Sequence, residues 1–348
     1  VIDKIEIKRF QYFYPYKLQK LAYAIIPNLK KNPLLFFQLP FFNLSFLIST
    51  INLVKKNKFD VINSQWLLPS GVIGAICKKL FNLKHIITTH GGDIETLNKI
   101  PIKRFIANFI LKNSDNIIFV SSYSRKLFRN LIRIRFREDF DKKALILPMG
   151  INIKKLQSNL NRDKIKKIYN INSNKNLLFI GRLEERKGLT YLIEAMPKIL
   201  ENFNVNLFVL GDGPLKNKLL SKVRKLNLQN NIKFLGHTYG NRKLDLLKLA
   251  DILVIPSLIE GLPVTLLEGL ATKKCIIATN ITGIPDVIKN NHNGILIKPK
   301  RNNEISRNII NLFKNPKLMK KLSNNSYKTS KKYDWKNISN KYNLIFNK

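Results

Sequence analysis

Ten short apolar runs, separated by longer segments of helical spacing, restrict what this chain can fold into more than any other feature. They fall at residues 60–63, 85–89, 116–120 and 145–147, then at 177–180, 206–210, 232–235, 252–255, 275–278 and 295–297. Between them, segments such as 189–200, 214–226, 244–250 and 264–271 carry apolar residues at helical intervals. Strand and helix in alternation imply right-handed crossovers and parallel sheets covered on both faces. The polar stretch 153–176 reads as a linker between the two series. The expectation is an α/β chain of two Rossmann-like, doubly wound parallel-sheet domains facing across a cleft. They occupy residues 1–152 and 153–326, with a terminal helix over 327–348, and 348 residues suffice for two such cores.

Ligands of doubly wound sheets sit beyond the carboxyl ends of the strands, so the residues following each run matter most. After the second run come His90, Gly91, Gly92 and Asp93, two glycines that admit a ligand close to the backbone beside a polar pair. After the fifth come Gly181, Arg182 and Lys187 ahead of a helix, a cradle for a diphosphate in which Arg182 grips oxygens bidentately and Lys187 acts as a mobile point charge. Gly211 and Gly213 bracket a tight turn after the sixth run, without the full dinucleotide spacing. The most specific stretch follows the eighth run: Glu260, Gly261, Leu262, Pro263, Val264, Thr265 and, further along the helix that Pro263 opens, Glu268. First-turn amides there can bind a diphosphate without any side chain. Two carboxylates also suit glycosidic hydrolysis, but Glu268 on the helix behind an anion site fits hydroxyl binding better.

Charge sets the partner classes. The chain has 62 Lys and Arg against 22 Asp and Glu, a net charge of +40. Nucleic-acid binding, attachment to an anionic membrane and drift toward residues of AT-rich codons all produce such a balance. No aromatic-interleaved nucleic-acid motif or zinc spacing is present, which argues against nucleic acid. The arginine-dense stretch Arg125, Arg129, Arg133, Arg135 and Arg137 is either a docking face for anionic lipid or a solvated basic face. Residues 33–54 are apolar, yet Pro40 and scattered polar residues interrupt a span; a core helix is expected, with membrane-surface docking as the alternative. Cys77 and Cys275 sit in apolar runs and read as buried free thiols of a reducing compartment. The opening residues do not read as a secretory signal, and the expected location is cytoplasmic, peripheral on the cytoplasmic face of the membrane.

Together these residues resemble family 4 of the retaining glycosyltransferases, enzymes of the GT-B fold. The resemblance runs from about Asp60 to Trp335 and rests on His90 to Asp93, Pro148 to Asn152, Gly181-Arg182 with Lys187, Gly211 to Pro214, Phe234 to Gly236, and the Glu260/Glu268 pair. It implies transfer of a sugar from a nucleotide-sugar donor to a glycan or lipid-linked acceptor in polysaccharide or glycolipid synthesis, with retention and without a cofactor or metal. It implies that Arg182 and Lys187 hold the donor diphosphate, assisted by amides of Gly261, Leu262, Val264 and Thr265. Glu260 would hold sugar hydroxyls, Glu268 the ribose, His90 the reacting centre, the region of Phe234 the base, and Gly91, Gly92 and Asp93 the acceptor side. Three departures stand out: Asn152 for Asp, Lys273 for the Gly that ends the glutamate-pair helix, and Asp286 for Glu. The usual first strand and glycine-rich loop are not recognisable before residue 60, so the sequence is expected to be incomplete at its start. A sugar-nucleotide epimerase of the same fold and a non-enzymatic basic binding protein stay open as alternatives.

Overall fold

The structure, a computed structural model, describes residues 5–22, 25–157, 162–168 and 175–347. Each apolar run forms a strand: β1 (Val61–Gln65), β2 (Lys84–Thr89), β3 (Asn116–Phe119), β4 (Ala144–Ile146), β5 (Lys175–Ile180), β6 (Val205–Leu210), β7 (Ile232–Phe234), β8 (Ile252–Ile255), β9 (Cys275–Thr279) and β10 (Ile295–Ile297). The chain divides into two compact units. The first holds the described residues up to Thr89, with Asp93–Ile118 and Phe128–Leu145; the second holds His90–Gly92, Phe119–Leu127 and Ile146–Lys348.

In the first unit the strands lie in chain order, β1-β2-β3-β4, with β1 and β2 parallel from Val61 opposite Lys84 to Gln65 opposite Thr88. Two polar anchors fix this sheet. Asp115 accepts from the His85 amide at 2.8 Å and from Lys78 Nζ. His85, fully buried, spans the Asn113 carbonyl at 2.8 Å and the Ser64 hydroxyl at 3.0 Å.

The second unit's sheet is wholly parallel, in the order β10-β9-β8-β5-β6-β7. Alternate residues serve its two faces. Leu177, Phe179, Leu207, Val209 and Val254 pack with Leu192, Met196 and Ile309 on one side. Leu178, Phe208, Leu253, Ile255 and Ile276 pack with Leu246, Leu266 and Leu270 on the other. Burial on both faces explains why β8, and β6 from Leu207 onward, read as unbroken apolar runs. Strand order reverses between β5 and β8, the switch point at which loops after neighbouring strands diverge and leave a crevice. Parts of the 153–176 stretch lie outside the described residues, but Ile151, Ile153 and Ile165 pack into the second unit's core.

The helix ending the glutamate-pair segment, Val264–Ala271, closes with a Schellman turn. The Lys273 amide bonds to the Leu270 carbonyl at 3.1 Å and the Lys274 amide to the Gly269 carbonyl at 3.0 Å. Lys273 takes the left-handed conformation, φ 55°, that normally favours glycine. Lys273→Gly is therefore expected to raise stability by roughly 0.5–1 kcal/mol in thermal unfolding, despite losing the ammonium over the Tyr327 ring. Asn152, standing for Asp, keeps the capping role: its side-chain oxygen accepts from the Lys155 amide at 2.9 Å.

Residues 33–54 depart from the expected core helix. The chain forms a helical turn over Pro33–Gln38 and a helix over Leu39–Lys56, with Pro40 in the first turn, where it does not interrupt the helix. Only Phe42 of that helix is buried, against Phe10, Tyr12 and Phe46. Leu34, Phe36, Phe37, Phe41, Leu44 and Ile48 are exposed, Phe37 by 75%. Apolar residues encircle this helix, and a helix packed along one side buries only one stripe of them. By length and composition, Pro33–Lys56 is the one candidate membrane span among the described residues.

The C-terminal segment is two helices, Pro316–Ser330 and Trp335–Asn347, joined by the turn Lys331–Tyr333, and both belong to the second unit. Both cysteines are buried and unpaired, and burial pushes the Cys275 thiol up to about 12.

Candidate active site

Loops leaving β5, β6, β7 and β8 lock together backbone to backbone at the carboxyl edge of the second sheet. The Gly181 amide bonds to the Leu210 carbonyl at 3.0 Å, the Leu183 amide to that of Asp212 at 2.9 Å, and the Gly211 amide to that of Gly236 at 2.8 Å. The Leu258 amide bonds to the Arg186 carbonyl at 2.7 Å, which ties the loop after β8 to the loop after β5. Two glycines make this closeness possible. A Cβ on Gly188 (φ 66°) would stand 2.0 Å from the Pro256 oxygen, and one on Gly211 (φ 139°) 1.9 Å from the Gly181 oxygen. These are contacts that no other residue allows.

Within that frame, Lys187 and Glu260 meet at the switch point. Lys187 Nζ lies 2.5 Å from Glu260 Oε1, and Ser257 donates to the same oxygen at 2.8 Å. Ser257 is itself fixed by the Thr279 hydroxyl, which donates to its carbonyl at 2.6 Å. The Glu260 side chain is only 6% exposed and that of Lys187 17%, so the pair is held in a site largely shielded from water. Arg182 is more open, with its Nε 3.8 Å from Glu184, which is held more closely by Arg186 at 2.6 Å. Asp212 pairs with Lys216 at 3.1 Å and accepts from the Gly213 amide at 2.7 Å, closing the Gly211 to Gly213 turn on itself.

The helix Val264–Ala271 begins immediately after this pair. Pro263 provides no capping hydrogen bond, so no side chain of the N-cap residue closes off the first-turn amides of Val264 and Thr265. Glu268 lies one turn beyond Val264, and the two share the wall of a cavity of about 330 Å³ with Tyr239, Lys243, Leu247 and Trp335. A larger hollow of about 580 Å³, between the helices Leu189–Leu200 and Asn302–Lys314, contains none of the sequence-predicted residues.

The remaining predicted residues are placed as follows. His90 and Gly91 fall in the second unit, where their backbone rests against Gly261: a Cβ on Gly261 would come within 2.5 Å of the His90 oxygen. Gly283 closes on the Gly261 carbonyl from the other side, and Asp286 accepts from the Ser122 amide at 2.7 Å. Gly92 is exposed at the start of the helix Gly92–Asn98. Asp93 belongs to the first unit and is 2% exposed; it accepts from the Leu67 amide at 3.0 Å and so shapes the loop after β1. Phe234 packs against the core cluster of Leu207 and Val209, so the polar groups that this segment offers are His237 and Tyr239, stacked on each other beyond the strand. Reading the sequence did not identify Ser257 or Lys243, because one hydroxyl or one lysine in so basic a chain carries no distinguishing signal.

Comparison with known proteins identifies the family and the fold. Residues 10–154 match the family described as Glycosyltransferase Family 4, and residues 161–329 match Glycosyl transferases group 1. An uncharacterized glycosyltransferase of Methanocaldococcus jannaschii is 30% identical over 89% of this chain and 80% of its own length. A UDP-Gal:alpha-D-GlcNAc-diphosphoundecaprenol alpha-1,3-galactosyltransferase of Escherichia coli is 29% identical over 72% of this chain and 66% of its own. Among solved structures, HepE of Anabaena in complex with UDP and glucose superposes with a TM-score of 0.76 at 17% identity, covering 86% of this chain and 81% of that one. A glycosyltransferase of Rickettsia africae gives 0.74 at 22% identity, covering 94% and 88%. With two parallel-sheet α/β units, matches to both family descriptions and loops of this geometry after β5 and β8, the chain belongs to the group 1 glycosyltransferases of family 4 and is a glycosyltransferase of the GT-B type.

Proposed function

We propose that the chain transfers a sugar from a nucleoside diphosphate donor to a glycan or lipid-linked acceptor, with retention of anomeric configuration and without a metal. The observation that carries this is the Lys187–Glu260–Ser257 cluster at the switch point, beside a helix start that its N-cap residue does not cap. Arg182, Lys187 and the amides of Gly261, Leu262, Val264 and Thr265 supply the positive charge and dipoles that a departing diphosphate needs, in the role a metal would otherwise fill. Both nearby carboxylates are held by cations, Glu260 by Lys187 and Glu268 by Lys243. With both carboxylates engaged in this way, we assign neither to attack on carbon. The departing phosphate oxygen is left as the base: it accepts the acceptor's hydroxyl proton while that hydroxyl oxygen bonds to the anomeric carbon and the carbon–phosphate-oxygen bond breaks. Attack and departure then share one face. Glu260 orients the sugar hydroxyls, His90 lies by the reacting carbon, and Gly91 and Gly92 line the acceptor side.

The E. coli relative is named for a UDP-galactose donor and a diphosphoundecaprenol acceptor, and HepE was solved with UDP, so uridine donors are the first to test. Equilibrium binding of UDP-, GDP- and ADP-sugars identifies the donor; NMR of the product's anomeric proton reads its configuration, with and without EDTA. Inverted product or loss of turnover in EDTA contradicts the corresponding part of the proposal. Isomerised sugar nucleotide without transfer supports an epimerase.

We further infer that the acceptor is met at an anionic membrane surface from the cytoplasmic side. The exposed apolar faces of Pro33–Lys56, with Lys55 and Lys56 in the last turn, suit insertion at a charged interface. Arg129 is less available than the sequence suggests, because it pairs bidentately with Asp141 at 2.8 Å and 3.1 Å. The combined change Phe36→Ser, Phe37→Ser and Phe41→Ser is expected to lower partitioning onto vesicles containing phosphatidylglycerol by roughly 10-fold or more. Equal sedimentation of variant and wild type contradicts the membrane reading.

A further inference from the structure

Trp66 stands in backbone torsions essentially reserved for glycine, φ 77° and ψ 148°. It follows β1 directly, at the carboxyl edge of the first unit's sheet, the edge beyond which open α/β sheets hold their ligands. Alternation along β1 buries Ser64 and exposes Gln65, so an extended Trp66 would turn inward with Ser64. The positive φ instead leaves Trp66 47% exposed, and the next residue, Leu67, fills the interior at 0%. Core packing therefore gives no reason for an indole in this strained position. The surrounding groups nonetheless hold it there. The Trp66 amide donates to the Thr88 carbonyl at 2.9 Å, and the Trp66 carbonyl accepts from the Gly71 amide at 3.1 Å and the Ser70 hydroxyl at 2.9 Å. The Leu67 amide donates to Asp93 at 3.0 Å, and the Asp93 carboxylate, 2% exposed, also takes the Ile94 amide at 3.1 Å. A buried carboxylate spent on holding a loop, under an exposed aromatic in an outlying conformation, points to function.

We propose that Trp66 is the platform on which a pyranose ring of the acceptor stacks. This rests on the reading above of a sugar-bearing acceptor. One face of a pyranose is lined with C–H groups and rimmed with hydroxyls. It lies flat on an indole, whose electron-rich face attracts the polarised hydrogens while both apolar surfaces leave water. Carboxamides for the hydroxyl rim stand next to Trp66 in the chain: Gln65 and Asn63 are exposed on one face of β1 and hydrogen-bonded to each other at 3.3 Å.

The test is acceptor kinetics. Octyl glycosides of glucose, galactose, mannose and N-acetylglucosamine are supplied with the sugar nucleotide that wild type binds most tightly, and the best acceptor is carried to the variants. Trp66→Gly is expected to raise KM for that acceptor by about 10-fold or more, as for loss of one aromatic contact to the ring. KM for the donor stays within about twofold and the unfolding midpoint within roughly 3 °C, because relief of the strained backbone offsets the lost indole contacts. A tryptophan needed only for folding would do the reverse. Trp66→Phe keeps a flat ring and holds the acceptor KM within about threefold, whereas Trp66→Leu matches the glycine variant. Should Trp66→Gly fail to fold, these last two variants decide the matter. An acceptor KM unchanged in Trp66→Gly overturns the proposal and leaves the acceptor reading intact. A wild-type KM in Trp66→Leu overturns it as well, since the side chain then meets the octyl chain and not the ring. If wild type transfers to none of the four glycosides, the reading of a sugar-bearing acceptor falls and this inference falls with it.

Discussion

Replacing Lys187 with alanine is expected to lower kcat/KM for the sugar-nucleotide donor by about 10²–10³-fold, the loss typical of one preorganised group that stabilises developing charge. Two effects add. The substitution removes a cation from the leaving diphosphate, and it strands Glu260, whose carboxylate keeps only the Ser257 hydroxyl at 2.8 Å. A shielded carboxylate without its cation is costly, so the sugar-binding geometry suffers as well. Glu260→Gln separates the two contributions. The amide keeps the shape but loses the charge, so binding of the bare nucleoside diphosphate should hold within about threefold while binding of the sugar-bearing donor weakens by roughly 10-fold or more. Steady-state kinetics with calorimetry on the two variants checks this. Equal loss of nucleotide and sugar-nucleotide binding in Glu260→Gln contradicts the assignment of Glu260 to the sugar.

The second large effect is steric. Gly261→Ala places a Cβ within 2.5 Å of the His90 carbonyl oxygen, with Gly91 Cα at 3.5 Å behind it. These neighbours are main-chain atoms, so no rotamer change relieves the clash and the loop after Glu260 has to move. A displacement of about 1 Å at reacting groups costs on the order of 10²-fold in rate, and turnover should fall by at least that much. The second unit's core draws on Leu262 and Leu266 but not on Gly261 itself, so circular dichroism and the unfolding midpoint should stay close to wild type. Turnover within about threefold of wild type contradicts the tight apposition of these loops.

The architecture was largely legible in the sequence, because burial on both faces writes each strand as an apolar run and each flanking helix as a stripe. All the strands from β1 to β10 follow from that pattern. Strand order does not, since it depends on which runs pair. The reversal between β5 and β8, which makes the site, emerges only in three dimensions. Asp93 illustrates a second limit. Beside Gly91 and Gly92 it reads as a polar group for a ligand, yet its acceptor is spent on the Leu67 amide, 26 positions earlier. Phe234, whose region the resemblance assigns to the base, has its side chain partly packed against the core beside β6. The helix Leu39–Lys56 shows a third limit, because hydropathy reports what a segment is made of and not what covers it. Glu260 is the residue for which the sequence pattern and the observed contacts point to the same place. Its cluster is built from a loop, Glu-Gly-Leu-Pro ahead of a helix, that carries the resemblance to the family.

The most direct measurement is the position of the pyrophosphate in a complex with the tightest-binding nucleoside diphosphate, determined crystallographically. The account places its oxygens within about 3 Å of Lys187 Nζ, of the Arg182 guanidinium and of the Val264 or Thr265 amide. A pyrophosphate bound elsewhere, with Lys187 still closed on Glu260 and those amides untouched, contradicts it.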